Sequence, residues 1–132
     1  MKKFNLLFIA CLLAVVSNVT LGQDTKTKQN LSPVEFSTKI KQQPAAILID
    51  VRSPEEFASG HLANAKNMDW NGTDFQNKIA KVDKSKAVFV YCQSGGRSAA
   101  AAAEMRAKGF KEVYEMEGGI GQWKSAKLPV TK

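Results

Sequence analysis

A chain of 132 residues with 19 basic and 12 acidic side chains and a net charge of +7 has room for one folded domain and not for two. Its lysines are spread along the sequence and form no block, and the few aromatic residues make no evident stacking platform with them, so the charge describes a solvated surface and not a nucleic-acid platform. Two cysteines, Cys11 and Cys92, are too few for a disulfide framework.

In chain order, Met1-Lys2-Lys3 precedes an uninterrupted apolar run from Leu6 to Val16, and small residues follow at Thr20-Leu21-Gly22. This is the pattern of a secretory signal peptide, with cleavage expected after Gly22. The apolar run is too short for a stable membrane span. Cys11 after Ile9-Ala10 admits a second reading as a lipoprotein acceptor. Cleavage near residue 22 would leave a chain of 110 residues, Gln23 to Lys132, with one cysteine; without Lys2 and Lys3 it holds 17 basic side chains against 12 acidic ones, or +5. The expected location is therefore outside the cytoplasm, periplasmic or secreted. A lone free thiol there needs a reason.

Residues 23–30 are polar and aperiodic, a flexible lead-in, and the domain is expected over 31–132. Ser32-Pro33-Val34-Glu35 is a capping box that opens a helix ending before Pro44, and Ala45 to Val51 is an apolar run of strand length. Ser53-Pro54-Glu55-Glu56 repeats the capping box, and Gly60 ends that helix. A short strand at 65–68, a turn at Asn71-Gly72 and a helix at 73–79 follow. Ala87 to Tyr91 predicts a buried strand, Ser98 to Lys108 an alanine-rich helix, and Phe110 to Met116 a last strand before a glycine-rich turn and a brief helix. Strands alternating with helices predict an α/β fold, a mostly parallel sheet covered on both faces.

Cys92 stands between strand and helix in Tyr91-Cys92-Gln93-Ser94-Gly95-Gly96-Arg97-Ser98. The two glycines let the backbone curl so that the amides of Gln93, Ser94, Gly95, Gly96 and Arg97 can converge on one anion, helped by the positive end of the next helix. A thiolate is that anion, and its pKa should fall below the free value of about 8.5. This reading requires that the amides face inward and that the side chain of Cys92 is not sealed in the core. Arg97 can face the anion or lock the loop through a carboxylate such as Asp50. Asp50 ends the other long strand, and the carboxyl ends of strands are where such sheets place their sites.

The landmarks Asp50-Val51-Arg52, Glu55-Glu56-Phe57, Gly60-His61-Leu62 with Asn64-Ala65, Tyr91-Cys92 through Arg97-Ser98, and Gly118-Gly119 with Trp123 together resemble a single-domain rhodanese, a sulfurtransferase module, from about Leu31 to Trp123. The resemblance implies a five-stranded α/β/α domain in which Cys92 takes a sulfane sulfur from a small anionic donor such as thiosulfate, becomes a persulfide, and passes the sulfur to a small-molecule or protein thiol. Ser94 stands where some thiosulfate-using members carry lysine. The related phosphatases use a roomier Cys-x5-Arg loop, whereas this chain has Cys-x4-Arg. His61 takes a position that implies a hydrogen bond pinning its loop, and Asp50, Arg52 and Glu56 imply an ion-pair network supporting the site. The remaining alternative is a thiol redox or persulfide-binding module that transfers no sulfur. With no cluster of Cys and His to ligate a metal, no metal or other cofactor is expected, and the protein is expected to be a monomer.

Overall fold

Ser32 and Ser53 begin the two helices that the sequence marks most strongly. In both, the serine hydroxyl accepts the N3 amide while the N3 glutamate returns to the serine amide, and proline occupies the first helical turn. The computed structural model describes residues 27–132; the leader, its cleavage point after Gly22 and Cys11 lie outside the described residues. The elements are β1 (Asn30–Leu31), α1 (Pro33–Lys41), β2 (Ile47–Asp50), α2 (Pro54–Ser59), β3 (Lys66–Asn67), α3 (Phe75–Ala80), β4 (Val88–Tyr91), α4 (Gly96–Ala107), β5 (Val113–Met116) and α5 (Gly119–Ser125).

All five strands are parallel, in the order β1-β5-β4-β2-β3. Four of them fall where the sequence places strands, β2, β4 and β5 on apolar patterns and β3 on the short stretch 65–68. The fifth, β1, falls where the sequence reads as lead-in passing into the domain: two residues, Asn30 and Leu31, pair with Glu115 and Met116 at the sheet's edge. Too short to show a period of two, β1 exists because β5 offers it a ladder. β5 starts three residues later than its apolar pattern suggests, because the Phe110 amide still donates to Met105 O and closes the end of α4.

Both faces of the sheet are covered, which explains the continuous apolar strands. Along β4 the side chains alternate: Val88 and Val90 pack with Phe75, Ile79, Ala101, Ala102 and Met105 of α3 and α4, while Phe89 and Tyr91 pack with Phe36, Ile120 and Trp123 of α1 and α5. Burying each of these large side chains contributes about 1.5–3 kcal/mol. Phe89 adds an edge-on contact with Phe36 at 5.2 Å between ring centroids. Cys92 is the next residue in the alternation, so its side chain turns to the α4 face, beneath that helix's first turn.

The chain leaves β2 for β3 on one side and returns through α3 to β4 on the other. β2 and β4 are thus neighbours whose following loops diverge, which is where parallel sheets open a crevice for ligands. The register Asp50↔Tyr91 and the bond from the Val51 amide to Tyr91 O at 3.0 Å set the Asp50–Arg52 turn directly beside Cys92.

Candidate active site

Gly95 N–H donates to Cys92 Sγ at 3.1 Å, and Gly95 itself adopts φ +112°, a conformation side chains rarely take, where the chain turns from the loop into α4. Gly96 needs no such freedom; it is the first residue of α4, with open space where a Cβ would stand. Ser98 Oγ lies 3.4 Å from Sγ and donates to Gly95 O at 3.1 Å. Its single proton can be turned to the sulfur once the sulfur is charged. Burial pushes the Cys92 thiol up, but the Ser98 hydroxyl and the amides of Ser98, Gly95 and Ser94 outweigh it and hold the thiol below its ordinary value. Gly95 and Ser94 belong to the expected cradle. The sequence alone gives Ser98 no role at the sulfur; its visible signal is a lone serine in an alanine helix, six residues after the cysteine.

Cys92 is a free thiol with 0% of its surface exposed. What covers the sulfur on its polar side is its own loop, whose residues Gln93, Ser94 and Gly96 are exposed. The condition read from the sequence is therefore met in its first half: amides face the sulfur. In its second half it is not met: the thiol has no exposed surface and sits between the β4–α4 core and the polar residues of its own loop.

Arg97 grips Glu56 in a two-pronged pair, Nη1 to Oε1 at 2.7 Å and Nη2 to Oε2 at 2.9 Å. The loop is thus locked through a carboxylate, as one of the two readings of Arg97 has it, but the carboxylate is Glu56 and not Asp50, the example the sequence suggests. Asp50 is taken by Arg52, whose Nε and Nη2 reach it at 2.8–3.1 Å. Glu56 is available because the second capping box fixes it at N3 of α2, over the loop. The hydrogen bonds from Arg97 hold the Glu56 carboxyl down at about 2. The guanidinium is thereby committed to the loop's geometry.

Beneath this pair, Arg52 is 1% exposed and Asp50 0%. Arg52 Nη2 also donates to Gly60 O, 2.6 Å away, and its guanidinium lies over the Tyr91 ring at 5.8 Å. The Leu62 amide donates to Tyr91 Oη at 3.0 Å, and the Asn67 amide group donates to the carbonyls of Asp50 and Arg52. His61 pins its loop, as its position implies: Nδ1–H donates to Phe57 O at 3.0 Å, and the ring stacks on Phe57 at 3.8 Å. It is not hydrogen-bonded to Cys92, so no Cys–His couple forms.

On the other side, the first turn of α5 abuts the loop. Ile120 N–H donates to Cys92 O at 2.9 Å and Gly121 N–H to Gln93 O at 3.1 Å. A Cβ at Gly119 would stand 2.4 Å from Cys92 O, so this approach requires glycine. Among the described residues no group of His, Cys, Asp and Glu is placed to hold a metal, and no helix is long and apolar enough to cross a membrane. A groove of about 450 Å³ between α1, residues 62–64 and Trp123 has neither Cys92 nor its loop in its lining.

A parallel α/β sheet with a strand-end cysteine under an inward-facing amide loop defines a class of thiolate-based transfer domains. Residues 32–126 match the rhodanese-like domain, and the chain belongs to that family. It is 32% identical over 94 residues to the thiosulfate sulfurtransferase GlpE of Pseudomonas putida, 70% of this chain and 83% of that protein. An uncharacterised Synechocystis protein is 31% identical over 112 residues, 85% of this chain, which spans 61% of that longer protein. Among solved structures, a rhodanese-related protein of Thermoplasma volcanium superposes with a TM-score of 0.69 at 29% identity, over 78% of this chain and 97% of that one. The polysulfide-sulfur transferase homodimer of Wolinella succinogenes does so with 0.67 at 33%, over 79% and 78%.

Proposed function

We propose that this protein is an exported sulfurtransferase that carries a sulfane sulfur as a Cys92 persulfide. The carrying observation is the Gly95 amide aimed at Sγ, with the Ser98 hydroxyl beside it: a built-in stabilisation of charge on one sulfur. The names of two relatives, a thiosulfate sulfurtransferase and a polysulfide-sulfur transferase, support the same chemistry. The Cys92 thiolate attacks the outer sulfur of the donor. A new S–S bond forms, the donor's S–S bond breaks, and sulfite or a shortened polysulfide leaves with the electron pair. A thiophilic acceptor then attacks the outer sulfur of the persulfide, and the Cys92 thiolate is restored.

The amides of Gln93, Ser94, Gly95, Gly96 and Arg97 form the wall nearest the donor, Ser94 Oγ is an added donor to its oxygen atoms, and Arg97 fixes the wall. Donors set in advance around developing negative charge typically contribute about 3–4 kcal/mol each to such a transition state. The test is intact mass after treatment with thiosulfate, and separately with polysulfide. A gain of one sulfur atom, absent in Cys92→Ser, supports the reading. A thiol that alkylates but gains no sulfur from either donor overturns it, and one that instead forms a mixed disulfide with added oxidised glutathione, releasing reduced glutathione, makes the protein a redox module. Export is tested separately by the amino-terminal residue of the protein recovered from its cells, expected at Gln23.

A further inference from the structure

Two carbonyls of the nucleophile loop, those of Cys92 and Gln93, point away from the sulfur and into the first turn of α5, where Ile120 N–H and Gly121 N–H receive them at 2.9 and 3.1 Å. In a trans peptide the carbonyl of one residue and the N–H of the next point in opposite directions. Holding Gln93 O on the α5 side therefore turns Ser94 N–H away from α5, and that amide is among those that favour the Cys92 thiolate; Gly95 N–H, which donates to Sγ at 3.1 Å, follows one residue on. The fit is close: a Cβ at Gly119 would meet Cys92 O at 2.4 Å and Gln93 O at 2.6 Å, and one at Gly121 would meet Gln93 O at 3.3 Å.

Nor is α5 free to drift. Trp123, 6% exposed, donates through Nε1 to Pro129 O at 2.9 Å, and the Leu128 amide donates to Trp123 O at 3.2 Å. Two residues beyond Pro129, Thr131 and His61 exchange both backbone hydrogen bonds at 2.8 Å. His61 sits on Phe57 of α2, next to the Glu56 that grips Arg97. The loop is thus held on its carbonyl side by α5 and on its arginine side by α2, and the tail 128–131 ties those two supports together.

We infer that α5, braced by the tail 128–131, is the positioning element of the nucleophile loop: by retaining the Gln93 carbonyl it turns the Ser94 amide, and with it the Ser94–Gly95 stretch of the loop, toward the Cys92 sulfur. Gly121 is the positioning residue through which this acts most directly. The inference deepens the reading of Cys92 as a nucleophile, but it concerns the free enzyme and is measured without any sulfur donor.

The experiment is the rate of iodoacetamide alkylation of Cys92 against pH in three variants. Gly121→Ala pushes on Gln93 O, and a chain ending at Lys127 removes the brace. Ile79→Val thins the core between the sheet and α3, far from α5, and reports the effect of lost stability alone. The charged groups around the loop, Arg97 with its partner Glu56 and nearby Asp69, are unchanged in all three. In Gly121→Ala and the shortened chain the alkylation midpoint rises by about half a pH unit, and the rate at any pH well below both midpoints falls roughly threefold; in Ile79→Val the melting temperature falls and the midpoint stays. A folded Gly121→Ala protein with the wild-type profile overturns the inference even if the shortened chain does not fold. The failures are separable. A wild-type thiol that ionises early and accepts no sulfur defeats the sulfurtransferase reading alone, whereas sulfur loading with an unmoved profile in Gly121→Ala defeats this inference alone.

Discussion

Two arginine–carboxylate pairs stand at the carboxyl rim of the sheet, and their surroundings assign them different tasks. Arg52–Asp50 is sealed, with side-chain exposures of 2% and 0%, whereas Arg97–Glu56 is part-exposed at 28% and 33%. The sealed pair ties the turn after β2 to Gly60 O and to the Tyr91 ring. The part-exposed pair ties the nucleophile loop to α2. Burial decides the difference: a charge removed from water cannot lose its partner without a large cost, while one at the surface can. The inner pair is scaffold and the outer one a latch.

The strongest way to break this comparison is at the inner pair. Asp50→Ala leaves the Arg52 guanidinium buried without its partner and should cost about 3–5 kcal/mol, read as a lower urea midpoint, a large share of the roughly 5–15 kcal/mol such a domain has. A loss under about 1 kcal/mol would mean that Arg52 finds water. At the outer pair the order reverses. Arg97→Ala should cost about 1 kcal/mol or less in stability yet slow sulfur loading roughly tenfold or more, because the loop loses its fixed geometry. Arg97→Lys sharpens the point, since it keeps the charge and loses the fork; it should resemble alanine more than arginine in loading rate.

Glu56 gives the latch a signature in pH. Its folded carboxyl, at about 2, lies below its ordinary value of 4.5, so the folded state binds fewer protons than the unfolded one. The stability it contributes is full above about pH 4.5 and is lost as pH falls toward 2. Melting temperatures of Glu56→Gln should lie below wild type at pH 7 and converge on it in that acid window. The smallest effect is expected at Ser98→Ala, which removes a hydroxyl that favours the thiolate: the alkylation midpoint of Cys92 should rise while the melting temperature changes little.

These contrasts also show which parts of the molecule could be read from the chain. Whatever is local was legible: both capping boxes, the apolar strands, and a glycine-bearing loop after Cys92 all follow from neighbours within a few residues. What depends on long-range packing was not. Arg97 and Glu56 are 41 residues apart, and nothing near either one names the other; Asp50, at the end of a neighbouring strand, is instead taken by Arg52, two residues on. β1 is two residues long and carries no pattern of its own. The Gly118-Gly119 landmark was plain as a motif, but its reason, the close pass of α5 against Cys92 O and Gln93 O, exists only in three dimensions. The cover over the thiol is of the same kind, because the spacing from Cys92 to Arg97 does not say how tightly the loop closes.

The account turns on whether a covered sulfur at residue 92 is nonetheless held as an anion ready to take up a second sulfur. Intact mass of the protein after brief exposure to polysulfide at neutral pH tests this most directly, with Cys92→Ser alongside. The account predicts a gain of one sulfur atom, lost again on adding a thiol acceptor and never seen in the serine variant. An unchanged mass with polysulfide and with thiosulfate, from protein whose thiol still alkylates, would contradict it.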